Sequence, residues 1–369
     1  MRTDAIQRVA IIGAGNGGCA AAVDLTQRNF EVRLYGRSAT TVAPLRAQGG
    51  IAHEGVLGEG VTRIATITSD AAEAITGADA VLIMGPTQAH AEMARTIAPH
   101  LVPDQVVFAA PGHTLTLLPH TLREAGHPHP VTCESATLPY ICRKLTPERV
   151  KVSRKAAILK FAAFPAHRTA ELAERLRPLF PAIAPVGSLL DTVFPYTNAI
   201  HHPPALLCNL GRVESTRGDY CHYYDGITPA VGRIIDALDA ERQAVAAAYG
   251  SAVEKLSDYF FRLGYTDAQG RDGGTAYATF QNSAPNRWIK APASVDHRFF
   301  DEDIPFGLVP LSELGRLAGV ATPASNAVIA LASLAADKPY AQAGLTLARM
   351  GIAGLSVPQL QTLLAEGYA

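Results

Sequence analysis

Three groups of residues in this 369-residue chain have the types and the spacing to do chemistry. The first is Gly13-Ala14-Gly15-Asn16-Gly17-Gly18, where Gly13, Gly15 and Gly18 fall at the Gly-x-Gly-x-x-Gly spacing. At that spacing the first glycine makes a tight turn and the second lets backbone approach a pyrophosphate. The third lets a helix pack close to a strand. The free N–H groups at the start of that helix hold phosphate. The second group is Asn198-Ala199-Ile200-His201-His202-Pro203-Pro204. Imidazole titrates near neutrality and suits proton transfer, and Asn198 can hold a ring nitrogen or a substrate carbonyl. A residue before proline is disfavoured in the α region, so His202 is expected where a helix begins. The bland alternative is a histidine that only caps that helix. The third group is Arg298-Phe299-Phe300-Asp301-Glu302-Asp303-Ile304-Pro305-Phe306-Gly307. An arginine suits a substrate carboxylate, and an aspartate behind an imidazole fixes its tautomer and orientation. A turn brings Arg298 and Asp303 to one cleft, while Asp301 and Glu302 read as a solvated acidic loop.

Further residues belong to the edge of a sheet. Glu134-Ser135-Ala136-Thr137 follows a short strand at 130–133, on the carboxyl side where ligands of open α/β sheets bind. Glu134 and Thr137 are therefore candidate substrate contacts, whereas Arg143-Lys144 reads equally well as a surface pair. Gly85-Pro86-Thr87 ends another strand, and Pro86 is expected along the coenzyme. The second strand runs into Tyr35-Gly36-Arg37-Ser38-Ala39-Thr40, with no carboxylate for a ribose 2′-hydroxyl. Guanidinium and hydroxyl groups suit a 2′-phosphate. Arg37 and Ser38 thus predict NADP, with NAD as the alternative. Cys208, Cys221 and His222 lack zinc-ligand spacing, so no metal site is expected.

The elements that must hold these groups follow from the apolar pattern. Residues 9–12 and 30–35 read as strands around the first helix, and 62–68, 80–84 and 105–110 as further strands. Helical spacing appears at 88–98 and 168–180, with more strand at 151–165. This alternation predicts α/β architecture: an N-terminal Rossmann-type, doubly wound parallel sheet over residues 1–187. From 188 to 369 the pattern is all-helical and is assigned to substrate binding and catalysis. Thr228-Pro229 starts a helix there. Its apolar repeat extends to Gly264, a helix of about 35 residues, long by globular standards. Thr322-Pro323 opens another helix, and the last covers 357–367.

Composition narrows the functional classes. The net charge is −1, too little basic surface to track phosphate backbones, so nucleic acid is excluded as a partner. The first residues carry no apolar core of signal length, and no uncharged apolar stretch near 18 residues predicts a membrane span. Five cysteines with no Cys-x-x-Cys pair fit free thiols in a reducing cytoplasm.

Together these residues resemble the NAD(P)-dependent octopine/nopaline (opine) dehydrogenase family. The carriers are the glycine loop, Glu134-x-x-Thr137-Leu138-Pro139, Asn198-x-x-x-His202-Pro203, Tyr224-x-Gly226-x-Thr228-Pro229, and Arg298-x-x-x-Glu302-Asp303-x-Pro305-x-Gly307-Leu308-Val309-Pro310. The resemblance spans nearly the whole chain, and the His-Pro and Glu-Asp-x-Pro motifs are its specific part. It implies that an amino acid and a 2-oxoacid condense to an imine, which the nicotinamide reduces to a secondary amine. It also implies that His202 is the acid/base, Asp303 its partner and Arg298 a carboxylate ligand. His201 doubles the histidine, and the Pro203 neighbour favours His202. The resemblance leaves a homodimer open. Two other readings stand beside it. One is reduction of a simple 2-oxo group, as in ketopantoate reductase or the 3-hydroxyacid dehydrogenases, which usually use a lysine acid; residues 161–254 contain no lysine. The other is dinucleotide binding without turnover.

Overall fold

The computed structural model describes residues 5–103 and 105–369. The chain divides into two compact units: residues up to Val193 together with Leu360–Ala369, and Phe194–Gln359. The division expected at 187/188 therefore moves by a few residues, and the C-terminal helix does not stay with the helical unit. Leu360 and Leu364 are buried. The Tyr368 ring lies 5.2 Å from Phe164, with the Arg123 guanidinium 4.4 Å over it.

The first unit contains twelve strands among the described residues. They are β1 (Arg8–Ile12), β2 (Glu31–Tyr35), β3 (Ile51–Gly55), β4 (Gly60–Thr62), β5 (Thr66–Thr68), β6 (Ala80–Ile83), β7 (Val106–Ala109), β8 (Thr132–Ser135), β9 (Tyr140–Thr146), β10 (Arg149–Lys155), β11 (Leu159–Phe164) and β12 (Ile183–Pro185). Eight form one sheet in the order β12-β11-β8-β7-β6-β1-β2-β5. Val9 through Ile12 are completely buried, as a central strand covered on both faces must be. The pairs are parallel from β8 through β7, β6, β1 and β2 to β5. β11 runs antiparallel to β8, so the sheet is mixed rather than wholly parallel.

A second sheet, β4-β3-β10-β9, is not evident from apolar runs. In β10 only Val150 and Val152 are buried, alternating with lysine and arginine. A strand with one wet face carries half the hydrophobic signal of a core strand. The expected strand at 62–68 is two short ones, β4 and β5, in different sheets.

The second unit is helical. Its core gathers Ile200, Leu206, Ile235, Leu238, Phe260, Phe280, Phe300 and Leu308. Thr228 caps the helix Pro229–Ala248, accepting from the Val231 N–H. That helix does not continue to Gly264. Gly250 takes φ +73°, and a separate helix begins at Leu256. Buried Asp239 secures the break: it accepts from the Leu256 N–H at 2.9 Å and from Arg242, whose Nη1 donates to the Phe194 carbonyl. Among the described residues no helix is long and apolar enough to cross a membrane.

Candidate active site

The glycine loop joins β1 to the helix Asn16–Gln27. Gly13 has φ +119°, where a side chain is strained. A Cβ on Gly18 would lie 1.7 Å from the Gly13 carbonyl oxygen, so helix and strand meet only through glycine. At Gly15 the same construction meets nothing within 4 Å, leaving space for phosphate. No side chain caps this helix. Its first N–H groups thus suit the pyrophosphate of a dinucleotide. The other two loop residues have structural work. Asn16 Oδ1 accepts from the Lys144 N–H at 2.8 Å, and Gly17 lies against Leu138. Gly17 thus offers only its backbone to a phosphate, and Asn16 its backbone and its amide nitrogen.

At the end of β2, Ser38 caps the helix Ala39–Gln48 and shares its hydroxyl with Thr40 and Thr41. Arg37 is not alone. Its Nη1 lies 3.1 and 3.0 Å from the two carboxylate oxygens of Glu92, and the side chains are 76% and 56% exposed. Pro86 is exposed at the carboxyl end of β6, opening a short 3-10 turn.

Glu134 departs from its expected role. It is buried in β8, and Oε1 accepts from the His113 N–H at 3.1 Å and from the Thr192 hydroxyl. Burial pushes its carboxyl up to about 7 despite these bonds. The carboxylate is spent on holding the turn after β7 and is not offered to a substrate. Thr137 is exposed, and its carbonyl accepts from Ser135.

In the second unit the expected pair is in place. His202 Nδ1 lies 2.7 Å from Asp303 Oδ2, and its Nε2 lies 2.8 Å from the Tyr223 hydroxyl. The Tyr196 hydroxyl donates to Asp303 Oδ1. Phe299 stacks on the imidazole with centroids 3.9 Å apart. His202 is not at a helix start. It sits inside the helix Asn198–Leu207, which contains Pro203 and Pro204 as well. Packing overrides the local preference here: residues Ala199 through Leu206 are all buried. Asn198, on the first turn, is half-buried and makes no side-chain bond to His202.

Asp303 is placed by an unusual turn. The Leu308 N–H reaches back five residues to the Asp303 carbonyl, a π-type turn over Ile304–Leu308. A Cβ on Gly307 would lie 2.4 Å from Ala199 Cβ, so glycine lets this turn press onto the helix of His202. The acidic triplet is not a solvated loop. Glu302 is buried and pairs with Arg298 at 3.1 Å. Asp301 accepts from Lys338 at 2.8 Å and from Tyr340 at 2.6 Å. Arg298 keeps more than half of its side chain exposed beside this pair.

Burial dominates the electrostatics. It pushes the Asp303 carboxyl up to about 7 and holds the His202 imidazole well below its ordinary value. The carboxylate does not lift the imidazole as simple pairing predicts. Burial thus disfavours charge on both partners of the 2.7 Å contact. His201, also buried, faces Phe260 and Phe280 at 5.6 and 5.2 Å, inside the aromatic core. Tyr196, Tyr223 and Phe299 carry no spacing signal in the sequence. Tyr223 is one residue away from the motif at Tyr224. Among the described residues no group of His, Cys, Asp or Glu can hold a metal ion.

Comparison with known proteins agrees with this geometry. The family model for the α-helical domain of NAD/NADP octopine/nopaline dehydrogenases matches residues 185–336. That for the N-terminus of NAD-dependent glycerol-3-phosphate dehydrogenase matches 8–112. An opine dehydrogenase from Arthrobacter sp. (strain 1C) is 32% identical over 355 residues, covering 96% of this chain and 97% of the relative. The chain belongs to the opine dehydrogenase family. It is an NAD(P)-dependent dehydrogenase acting on CH–NH bonds. The family fold is shared at low identity. An octopine dehydrogenase solved with NADH and L-arginine superposes with TM-score 0.80 at 20% identity, over 97% of this chain and 98% of that one. A yersinopine dehydrogenase solved with NADP+ superposes with TM-score 0.73 at 14% identity, over 99% of both chains.

Proposed function

We propose that this opine dehydrogenase condenses the amino group of an amino acid with a 2-oxoacid and reduces the resulting imine, using NADPH in preference to NADH. The observation that carries the reading is the buried Asp303–His202 contact at 2.7 Å, in which burial pushes the carboxyl up to about 7. Imine formation needs a proton delivered to a departing hydroxyl and taken back in the reverse direction. A carboxyl raised toward neutrality beside an imidazole suits both directions. Arg298, half-exposed beside the pair, is the ligand for a substrate carboxylate. Asn198 and Thr137 are assigned to substrate contacts, and Glu134 to support of the turn at His113. The unit ending at Val193 is assigned the coenzyme and Phe194–Gln359 the acid–base pair. The bound dinucleotide supplies the hydride. Gly13, Gly15, Gly18 and the backbone of Asn16 and Gly17 hold its pyrophosphate, Pro86 lies along it, and Arg37 with Ser38 holds the 2′-phosphate.

Reduction of a simple 2-oxo group is less favoured, because no lysine occurs in residues 161–254 to act as its usual acid. Binding without turnover leaves His202 and Asp303 unexplained. A screen of NADPH oxidation with pyruvate, glyoxylate or 2-oxoglutarate against the amino acids tests the proposal. Oxidation that needs both an amine and an oxoacid supports it; oxidation with the oxoacid alone overturns it. A cytoplasmic location is supported by the five free cysteines. A homodimer is supported by Leu331 and Leu334, 56% and 80% exposed on the helix Pro323–Ala336. Light scattering that reports a monomer overturns it.

A further inference from the structure

We propose that Tyr223 is the group through which His202 exchanges its proton with the reacting molecule. This rests on the reading of His202 as the acid–base. The geometry leaves the imidazole no other outlet. Nδ1 is taken by Asp303 and Nε2 by Tyr223. Phe299 covers the ring face, and the His201 ring meets it edge-on at 4.4 Å. Only 9% of the His202 side chain is exposed, and Asp303 has no exposure at all. The other oxygen of Asp303 is occupied by Tyr196. A proton leaving Nε2 therefore moves onto the phenol oxygen of Tyr223.

A phenol can do this because it accepts and donates at once. Among the described residues His202 is the only hydrogen-bond partner of the Tyr223 hydroxyl, so the phenol still has one hydrogen bond to make. The ring cannot swing freely. It stacks flat on Phe280, with centroids 5.2 Å apart and planes 3° apart. It also meets His222 edge-on at 4.8 Å. His222 is fully buried with neither ring nitrogen hydrogen-bonded, so it does not compete for the hydroxyl. Burial keeps the phenol protonated well above its ordinary range. Tyr223 is thus a neutral relay rather than a base in its own right.

In the forward direction the carbinolamine C–O bond breaks, and the Tyr223 O–H proton goes to the departing hydroxyl, which leaves as water. The nitrogen lone pair closes the C=N bond. The Nε2–H proton moves to the phenol oxygen, and the imidazole is left neutral. In reverse, water adds to the C=N carbon as Tyr223 accepts its proton and passes another to Nε2. Two protons move in one step.

Single-turnover NADPH oxidation in mixtures of H2O and D2O reads this directly. The oxoacid is pyruvate, and the amino acid is the one that gives the fastest oxidation in the screen above. Wild-type rates should fall along a bowl-shaped curve with deuterium fraction. Tyr223→Phe should be slower by about 100-fold, the lower end of the usual worth of general acid–base catalysis, and give a straight line. An unfolding transition of the helical unit that matches wild type in scanning calorimetry reports that the variant is folded. A straight line for wild type overturns the relay whatever the variant does. So does a Tyr223→Phe rate within twofold of wild type while His202→Ala is slow. If His202→Ala keeps the full rate, the reading of His202 fails and the relay falls with it.

Discussion

Glu92→Gln should tighten NADPH and leave NADH alone. A 2′-phosphate that reaches Arg37 also meets the carboxylate that already holds this guanidinium from 3.0 Å. The phosphate carries about −1.5 to −2 charges at neutral pH. At a separation on the order of 6 Å in water each pair of unit charges is worth roughly 0.7 kcal/mol. The repulsion is then about 1–1.4 kcal/mol, which screening over a Debye length of about 8 Å roughly halves at physiological salt. Glu92→Gln should therefore tighten NADPH about two- to threefold at physiological salt and up to about tenfold at low salt. Arg37→Ala should act the other way. Charge-assisted hydrogen bonds contribute about 1.5–3 kcal/mol, and the lower end applies to this exposed side chain, giving about tenfold weaker NADPH. Titration of coenzyme fluorescence at two ionic strengths checks both variants. If NADH and NADPH shift together, or if Glu92→Gln loosens NADPH, Arg37 does not hold the 2′-phosphate.

His202→Ala should lower turnover about 10²–10⁴-fold with coenzyme affinity intact. His201→Ala should keep turnover per folded molecule but lose about 2–4 kcal/mol of stability in urea, because its ring fills the aromatic core. The reverse pattern would move the acid–base by one residue. Asp303→Asn should remove the titration near pH 7 and shift the pH–rate limb toward acid, since an isolated buried imidazole stays low; an unchanged limb rules out the coupled pair. For Glu134 the sign follows from a folded-state pKa raised by burial to about 7 from its ordinary 4.5. The folded state binds the proton more tightly, so the stabilisation is full below about 4.5 and is lost as pH rises toward 7. Glu134→Gln, which can still accept from His113 and Thr192, should abolish a slope of about 1.4 kcal/mol per pH unit in that window; denaturant unfolding from pH 4 to 8 measures it. Deleting Leu360–Ala369 removes two buried leucines and the Tyr368 contacts. It should lower the melting point of the coenzyme-binding unit and spare the helical one; scanning calorimetry that shows no change refutes that packing.

What could be read from residues alone was whatever has a local cause. The glycine loop is legible because turn, phosphate approach and helix packing each need glycine at a fixed spacing. His202 and Asp303 are 101 positions apart, yet both stand in recognisable motifs, and the fold brings them to 2.7 Å. The details that failed have non-local causes. His202 sits within a helix because burial from Ala199 to Leu206 outweighs the pre-proline preference. Glu302 is buried and meets Arg298, four residues earlier, a pairing that depends on the turn of the chain. In the smaller sheet β9 went unread because one of its faces is wet, whereas β10 falls largely within the strand expected at 151–165. Tyr223 and Tyr196 were missed because a hydroxyl contact depends on geometry that no spacing encodes. Glu134 was placed at the correct edge, but only its hydrogen bonds show that its carboxylate is already committed.

The return of Leu360–Ala369 to the first unit makes Phe194–Gln359 an insertion within it. Synthesis runs from the N-terminus, and domains usually fold in that order as they emerge. Here the order inverts. Once Gln359 has cleared the ribosome, the whole helical unit is available, whereas the surface around Phe164 and Arg123 still lacks Tyr368. The acid–base unit can thus complete its core before the coenzyme-binding unit does. A nascent chain tethered through an unstructured linker that follows Gln359 and is long enough to clear the exit tunnel should hold a protease-resistant helical unit beside a still labile sheet.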